Sequence, residues 1–509
     1  MKIFIFLILT NLLLSQGLDL NKSLYFYHSE EIKAIENKNI PVQLFISPAI
    51  ELKKKKYYNF INDNYSDLQI HPVMGLRYSN VGFEINDKSP QQVLWVSPGL
   101  NIKFNKLLFN FLNPVWINAS FAFYKHSAYG IYEKLSTNNT LNNDGSNEPV
   151  KPIFHYNPFF SYGYHNSVQT DDKNGIEFDE SIGGISIISN NFDVSFGKFR
   201  SSLGPSSYSN LSLSNHIPAF NQLRVNYAYM NDIFFTFIIG DLFSGIDDNS
   251  SYYEGRLKSV SRKLFNHRLD FKLLNNLRFG FYEQIITNPE PGSFNYYNPF
   301  QLYWSEQHQQ GDVDNLQMGF DFDFLFKGYR IYGGILIDEW APYDTFNEDA
   351  HNWFARQISL SKLFNVKSNV KGLFKFEYSD AEPQVYTHKF DINIPSHHNY
   401  PLGLWSGGDS INRLISFIVL SYIEKDKINH IFDITYSSTD IGNPVYEEGI
   451  ALLSSQDRIQ RNVLYFIFQK SLFNQIDYNF KVGYYSTENL YSEDNFLEFS
   501  TSILYNIQK

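Results

Sequence analysis

From about residue 68 onward, apolar and polar residues alternate along the chain in segments of roughly ten residues. In 314–326 every second residue is apolar, and Asp321 and Asp323 are among the polar residues between them. The segments 222–230 and 476–486 alternate in the same way. Alternation with period two is typical of β-strands, whose successive side chains point to opposite faces. Charges placed so regularly in aromatic strands would be costly in a dry core, so the pattern predicts strands with one polar and one apolar face.

The connections between these segments alternate strictly between short and long. Asn, Asp and Gly in the short connections suit tight hairpin turns because these residues tolerate positive φ. The predicted short turns are Asn105-Lys106, Asn190-Asn191, Asn231-Asp232, Asn275-Asn276, Lys327-Gly328, Phe364-Asn365, Lys425-Asp426-Lys427 and Phe473-Asn474. The predicted long stretches are 125–180, 201–221, 244–262, 288–313, 379–411 and 439–459. This sorting by length is typical of outer-membrane barrels, which have short periplasmic turns and long extracellular loops.

The alternation predicts about 18 strands, an even number as expected for a transmembrane barrel. The predicted spans are 68–80, 91–104, 107–124, 181–189, 192–200, 222–230, 233–243, 263–274, 277–287, 314–326, 329–339, 354–363, 367–378, 412–425, 428–438, 460–472, 476–486 and 495–507. The predicted fold is therefore all-β, a transmembrane antiparallel up-and-down β-barrel. The even strand number predicts that both termini lie in the periplasm.

The first residues have the pattern of a secretory signal peptide. Lys2 is a short positive region, Ile3 to Leu14 is mostly apolar, and Ser15-Gln16-Gly17 supplies small residues for cleavage. No later segment has the roughly 18 uninterrupted apolar residues of a transmembrane helix. The sequence thus predicts a signal peptide at 1–17, a short periplasmic segment at 18–67 and an outer-membrane barrel at 68–509.

Composition agrees with a barrel and excludes several other classes of protein. Aromatic residues make up 17% of the chain while the mean hydropathy is only −0.31, as expected if one face of each strand meets lipid. A soluble β-rich sandwich or propeller would also fit this composition. A net charge of −11, with a single basic run at Lys53–Lys56, argues against nucleic-acid binding. The absence of cysteine excludes disulfides, thiolate metal sites and cysteine nucleophiles.

The sequence contains no motif for catalysis, for a cofactor or for nucleotide binding, so it predicts a protein without catalytic residues, cofactor or metal. One long stretch does hold His388, His397 and His398 together with Asp391 and Asp409. A metal site there is conceivable. Exposed loop histidines are the favoured interpretation.

Two further sets of residues could carry function. Charged residues on the polar strand faces could tune solute passage or could simply pair with one another inside the barrel, and we favour pairing. They are Arg224, Asp321, Asp323, Lys371, Lys375, Glu377, Asp477 and Lys481. Aromatic residues in and beside 288–313 could form a platform on which sugar rings stack, or an interfacial aromatic girdle. They are Tyr296, Tyr297, Tyr303, Trp304, Trp340 and Trp353.

Three segments together resemble the capsule assembly Wzi family of outer-membrane barrels, over roughly residues 68–507. The first runs from Gly197-Lys198-Phe199-Arg200 through Gly204-Pro205 to Leu211-Ser212-Leu213-Ser214-Asn215. The second combines Tyr297-Asn298-Pro299-Phe300, the segment Asp314 to Asp321, and Asp338-Glu339-Trp340. The third contains Glu377-Tyr378-Ser379, Tyr386-Thr387-His388, Asn399-Tyr400 and Pro401-Leu402-Gly403. The chain departs from the family pattern at Ser206-Ser207 and Leu404-Trp405, and its segment 18–67 is shorter than the periplasmic helical bundle of the best-known members.

The resemblance implies an outer-membrane barrel that binds or anchors surface (capsular) polysaccharide and assists capsule assembly without catalysis. Its expected partners are outer-membrane lipid, the surface polysaccharide and, during insertion, the barrel-assembly machinery. A porin-like solute channel is the alternative function, supported by the polar strand faces. An outer-membrane lipase or protease is a third, supported only by the loop histidines.

Overall fold

In the computed structural model, eighteen long strands are joined edge to edge into one closed antiparallel sheet. In chain order they are β1 (Ser66–Ser79), β2 (Val93–Phe109), β3 (Val115–Gly130), β4 (Gly175–Ile188), β5 (Phe192–Phe199), β6 (Phe220–Tyr229), β7 (Ile233–Tyr253), β8 (Arg256–Leu274), β9 (Leu277–Thr287), β10 (Asn315–Phe326), β11 (Tyr329–Asp338), β12 (Trp353–Lys367), β13 (Val370–Ala381), β14 (Ser410–Glu424), β15 (Lys427–Gly442), β16 (Arg458–Leu472), β17 (Ile476–Glu488) and β18 (Glu493–Asn506). Each strand pairs with its neighbours in sequence, and β18 pairs with β1 to close the barrel.

The structure describes residues 20–40, 61–62, 66–80, 93–109, 115–130, 169–171, 175–189, 191–229, 232–253, 256–288, 294–311, 313–341, 343, 352–398, 400–424, 427–442, 444–447, 450–454, 458–472, 476–489 and 493–506. The predicted signal peptide at 1–17 lies outside these residues and stays a prediction. Within the described ranges, no helix is both long enough and apolar enough to span a membrane.

Smaller elements accompany the barrel. Helix α1 spans Leu20–Asn37, helix α2 spans Tyr303–Gln310, and one 3₁₀ turn spans Asp391–Asn393. Short strands at Ile61–Asn62 and Gln169–Asp171 extend the main sheet. Two-stranded ribbons pair Ser396–His397 with Tyr400–Pro401, and Val445–Glu447 with Ile450–Leu453.

The predicted strands are confirmed in number and order, and all eighteen overlap an observed strand. Two of the predicted turns are wrong. Asn105 pairs with Asn118 inside the β2–β3 ladder, and Phe364 pairs with Gly372 inside the β12–β13 ladder. The ladders continue past these residues to the pairs Phe109–Val115 and Lys367–Val370, so neither predicted turn is the place where the chain reverses. Asn is tolerated in the strands because its backbone N–H and carbonyl can pair in a ladder like those of other residues.

Several predicted loops are partly strand. In 125–180, β3 continues to Gly130 and β4 begins at Gly175. The stretch 244–262 is mostly an extension of β7 and β8, which pair as far as Tyr253 and Arg256. In 439–459, β15 continues to Gly442 and a short ribbon follows. These extensions are rich in polar residues and lack the apolar–polar alternation that predicts a strand. A strand needs no apolar face where it extends beyond the apolar belt of the barrel. Lys327-Gly328 is confirmed as a tight turn, with φ of 47° and 80°.

The barrel is apolar outside and polar inside. On β10, Phe320 and Phe326 are exposed on the outward face, whereas Gln317, Asp321 and Asp323 are buried on the inward face. Strands β6 and β17 repeat the arrangement, with Tyr227 and Tyr484 outward. This is the reverse of a soluble β-protein and is what a lipid-facing wall requires.

Candidate functional site

The interior of the barrel is filled by protein along much of its length. Among the residues that the structure describes, three chain segments enter it: the second half of α1, residues 200–219 (the inner loop) and residues 382–409 without Asn399 (the cap segment). Nearly every residue of the inner loop is buried. The contacts of these segments with one another and with the inward strand faces therefore determine whether a solute can pass through the barrel or a ligand can bind inside it.

Helix α1 enters the barrel from the end where the short turns lie. The Ile40 N–H donates to the Asn275 carbonyl at 2.9 Å, at the turn between β8 and β9. Higher in the barrel, Ile32 and Ile35 are buried in one apolar cluster with the inward residues Leu373 and Ile418. The segment predicted only as a short periplasmic stretch thus contains a helix that reaches into the barrel.

Glu31 fixes α1 electrostatically. Its carboxylate lies 3.1 Å from the Arg330 guanidinium and 3.4 Å from the Lys375 ammonium, and all three side chains are fully buried. Burial by itself raises the pKa of Glu31, but the two cations outweigh it and lower that pKa to about 2. Burial, assisted by Lys375, lowers the pKa of His28 one turn earlier to about 3. The helix therefore docks with Glu31 charged and His28 neutral.

Inward charges of the barrel wall pair with each other, as the pairing interpretation predicts. Arg268 binds Asp270 and Asp321 at 2.6 Å each, and Arg278 lies 3.3 Å from the same two carboxylates. Further round, Arg330 binds Asp323 at 2.6 Å, and Lys481 binds Glu498 at 2.8 Å. Such pairs fill and stiffen the interior, because each buried charge is neutralised by a hydrogen-bonded partner.

The inner loop is held against these charged strands by polar contacts. The Ser206 hydroxyl donates to Glu377 at 2.9 Å, and Lys375 donates to the Ser207 hydroxyl at 2.7 Å. Arg330 also donates to the Pro205 carbonyl at 2.8 Å. Lys375, Glu377 and Asp323, which the sequence offered as solute-tuning residues, thus belong to the network that fixes the inner loop.

The cap segment lies on the inner loop and completes the filling. The Ser214 N–H donates to the Leu402 carbonyl at 2.8 Å, and a ring nitrogen of His216 lies 2.8 Å from the Pro401 carbonyl. Burial lowers the pKa of His216 to about 4, so this ring is neutral at physiological pH. A methyl group added at Gly403 would meet the Leu211 carbonyl oxygen at 2.2 Å, which shows how closely the two backbones approach.

Histidines of the cap segment are used in packing. His397 accepts a hydrogen bond from the Phe243 N–H at 2.9 Å, and His398 stacks on the Phe243 ring with 4.3 Å between centroids. Asp409 pairs with Arg458 at 2.8 Å. Across the part of the chain that the structure describes, no three His, Cys, Asp or Glu side chains come together as a metal site would require.

The six aromatic candidates divide between two places. Tyr296, Tyr297, Tyr303 and Trp304 cluster on the outward face of the barrel, around Phe237 and Phe265. Trp340 joins this group, with its ring centroid 6.2 Å from that of Trp304. Trp353 instead faces inward and packs beside the cap segment.

Within the outer group, exposure differs among the candidates. Tyr296 and Tyr303 are buried, their rings meet edge to face at 5.6 Å, and the Tyr296 hydroxyl donates to Asp314 at 2.6 Å. Trp304 and Trp340 are half-buried at the long-loop rim. Within the outer group, these two and Tyr297 therefore present ring surface, whereas the buried pair anchors the loop.

Comparisons with known proteins identify the family. The profile of the capsule assembly protein Wzi family matches residues 133–413, which is more than half of the chain. The chain therefore belongs to the Wzi capsule assembly family. A comparison with curated protein sequences finds no match.

Several solved structures are similar to this Wzi-family chain. Wzi of Escherichia coli, described as an outer-membrane protein involved in group 1 capsule assembly and a carbohydrate-binding β-barrel, has a TM-score of 0.50 and 11% identity, covering 86% of this chain and 85% of that chain. OccAB4 of Acinetobacter baumannii has a TM-score of 0.46 and 10% identity, covering 87% and 99%. A BenF-like porin from Pseudomonas fluorescens Pf-5 has a TM-score of 0.45 and 8% identity, covering 87% and 98%. At this level of identity, the match to Escherichia coli Wzi supports the fold alone.

The three segments that carry the Wzi resemblance meet inside the barrel. The first contains the inner loop, the third contains the cap segment, and Asp338 of the second joins them. One oxygen of Asp338 accepts from the Tyr386 N–H at 2.7 Å and from Gln317 at 2.8 Å. The Tyr386 hydroxyl in turn donates to the Leu211 carbonyl at 2.6 Å. Sequence reasoning found these segments by resemblance but had no signal for their contact, because nothing in a strand pattern shows that a long loop folds inward.

Proposed function

We propose that this protein is an outer-membrane barrel that binds or anchors capsular polysaccharide at the cell surface and assists capsule assembly without catalysis. Membership of the Wzi family carries the proposal, and the carbohydrate binding described for Escherichia coli Wzi is consistent with it. The occupied interior also supports it, because a barrel that holds the buried inner loop and cap segment is better suited to holding a ligand at its surface than to passing solutes.

The proposal includes an orientation. The short-turn end faces the periplasm together with residues 18–67 and the C-terminus, and the long-loop end faces outward. The polysaccharide then meets the long-loop end. Lipid surrounds the apolar wall, and the barrel-assembly machinery inserts the strands.

Trp304 and Trp340 are the proposed sugar-stacking residues of the six aromatic candidates. Both are half-buried at the long-loop rim, and the indole N–H of Trp304 donates to the Trp340 carbonyl at 3.5 Å. A fixed pair of indole faces is suited to stacking on sugar rings. Tyr297 adds ring surface, whereas Tyr296, Tyr303 and Trp353 position the loops.

A deletion strain tests the function in the cell. We expect cell-bound polysaccharide to fall and released polysaccharide to rise, because an anchor acts after the polymer is made. An unchanged amount of bound capsule would contradict the proposal. Steady ion conductance of the purified protein in planar bilayers would instead favour the porin-like alternative.

Binding of purified capsular polysaccharide from the same strain tests the aromatic pair. Loss of one stacking contact of about 1 kcal/mol weakens binding about fivefold, so we expect that effect for Trp304→Ala and for Trp340→Ala. Phe364→Ala, which removes an exposed ring near the short-turn end, is the matched control and should bind normally. Equal binding by all three variants would remove the aromatic pair from the site.

A further inference from the structure

Residues 294–311, here called the wall loop, belong to a connection that loop-length parity places outside the membrane. The structure instead lays them down the outer wall of the barrel. Strand parity establishes the face: Leu269 of β8, Phe281 of β9 and Phe320 of β10 are exposed on the outward side. Residues an even number of positions away share that face.

Outward side chains above this row are covered by the wall loop. Phe265, Ile285 and Leu316 lie four positions from the exposed row on the same face, yet they are buried in one cluster with Tyr296 and Tyr303. The Phe265 ring meets that of Tyr297 edge to face at 5.0 Å. The loop is therefore packed on the wall and does not extend away from it.

The loop reaches down to the exposed row itself. The Phe300 ring stacks on Phe235 with 5.6 Å between centroids. Phe235 is the strand partner of Leu269, Leu269 of Phe281, and Phe281 of Phe320. Phe300 thus lies on the same apolar belt whose other members face the surroundings of the barrel.

A polar pair on the outward face explains why a loop is needed there. His267 and Glu283 lie 2.8 Å apart, two positions above Leu269 and Phe281. Polar side chains turned toward hydrocarbon are costly unless they are covered and hydrogen-bonded. The wall loop covers both: the Tyr303 ring stacks on His267 at 4.1 Å, the Tyr303 N–H donates to Glu283 at 2.9 Å, and the Pro299 carbonyl lies 3.1 Å from His267 Nδ1.

Large apolar side chains of the wall loop point away from the protein. Phe294 is 79% exposed, Phe300 83% and Leu302 66%. A loop in water would rarely present three such side chains together. Here they continue the outward belt, whose function in a membrane barrel is to meet lipid.

We propose that the wall loop is a membrane-embedded element, which inserts Phe294, Phe300 and Leu302 among the acyl chains of the outer leaflet. This inference rests on the proposed outer-membrane location and orientation. The loop then has two parts. Its lower part anchors the barrel in lipid, and its upper part, with Trp304, lies at the rim.

Single cysteines test the inference cleanly, because the chain has none of its own. The variants Phe300→Cys and Leu302→Cys are labelled with the fluorophore NBD and reconstituted in dioleoylphosphatidylcholine vesicles. Phe281→Cys reports the lipid-facing belt, and Lys389→Cys reports an exposed position of the cap segment. Doxyl-labelled lipid quenches fluorophores in the bilayer, and iodide quenches those in water.

We expect NBD at 300 and 302 to match the probe at 281, with strong quenching by doxyl lipid and little by iodide. Iodide quenching equal to that at 389 would overturn the inference. Protection from both quenchers would also overturn it, because a second protein copy would then cover the loop. Iodide quenching at 281 itself would refute the membrane location, which separates that failure from a failure of the wall-loop inference. Heat-modifiable migration in electrophoresis confirms for each variant that the barrel is folded.

Discussion

Replacing Glu31 by Gln should release α1 from the barrel. The substitution keeps the shape of the side chain but removes the charge that lies between Arg330 and Lys375. Breaking a buried ion pair costs about 3–5 kcal/mol. The lower end applies here, because Arg330 keeps Asp323 at 2.6 Å and Lys375 keeps the Ser207 hydroxyl at 2.7 Å. A loss of about 3 kcal/mol raises the undocked fraction of α1 about a hundredfold.

Cysteine labelling measures this fraction. Ala34 is buried on the docked helix, so a maleimide reaches Ala34→Cys only when α1 leaves its site. Where undocking is fast relative to the chemistry, the labelling rate is proportional to the undocked population. We therefore expect Glu31→Gln to raise the rate about a hundredfold in the Ala34→Cys background.

Glu30→Gln is the matched control. Glu30 is the preceding residue on the same helix, and it pairs with Lys33 at 2.8 Å where both side chains are partly exposed. Such a pair contributes at most about 1 kcal/mol, so its loss should change the rate by about fivefold or less. Equal labelling rates for the two variants would refute the view that Glu31 fixes the helix.

Three further predictions concern the filling of the barrel. Burial lowers the pKa of His28 to about 3 in the docked helix, whereas the undocked helix has the ordinary value of 6.5. As pH falls below 6.5, His28 therefore binds a proton in the undocked helix and stays neutral in the docked one. Docking should weaken by up to about 1.4 kcal/mol per unit between pH 6.5 and 4.5, seen as faster hydrogen exchange in α1, and His28→Phe should abolish the change. Gly280→Ala should destabilise the barrel by about 1–3 kcal/mol in thermal melts, because its methyl group would lie 1.9 Å from the clamped Arg268 guanidinium, whereas Gly372→Ala, with 3.7 Å of clearance, should not. Replacing 203–217 by a short Gly-Ser linker should raise conductance in planar bilayers, and an unchanged current would show that the inner loop does not close the barrel.

Strand number, order and facing were predictable from the sequence because each follows from local alternation. Asp321 and Asp323 were placed on the inward face by their positions between aromatic residues, and the structure buries both. The wrong predictions arose where local residue type or alternation does not determine the local structure. Asn105 looks like a turn residue but has a strand partner, and the polar upper parts of β7 and β8 carry no alternation to detect.

The candidate site was less predictable, because it depends on where long segments fold. Ser206 and Glu377 are 171 residues apart in the sequence, and no local pattern predicts their hydrogen bond. The same holds for Tyr303, whose aromatic character suggested a ligand platform. Its burial against His267 is a property of the folded wall loop and not of the sequence around it.

The closing seam of the barrel sets the order in which the molecule can be put together. β1 and β18 pair through seven residue pairs, and the Asn80 side chain at their edge reaches a carbonyl 417 residues further along the chain. The wall cannot close until the 14 residues of β18 have been made. Polar contacts of α1 and the inner loop are made with strands between β6 and β14, which do not border the seam. The interior can therefore begin to assemble on a half-built, open wall, and the last strands then complete the apolar site of α1 with residues such as Tyr465 and Tyr485. In that order no folded helix has to pass through a finished ring.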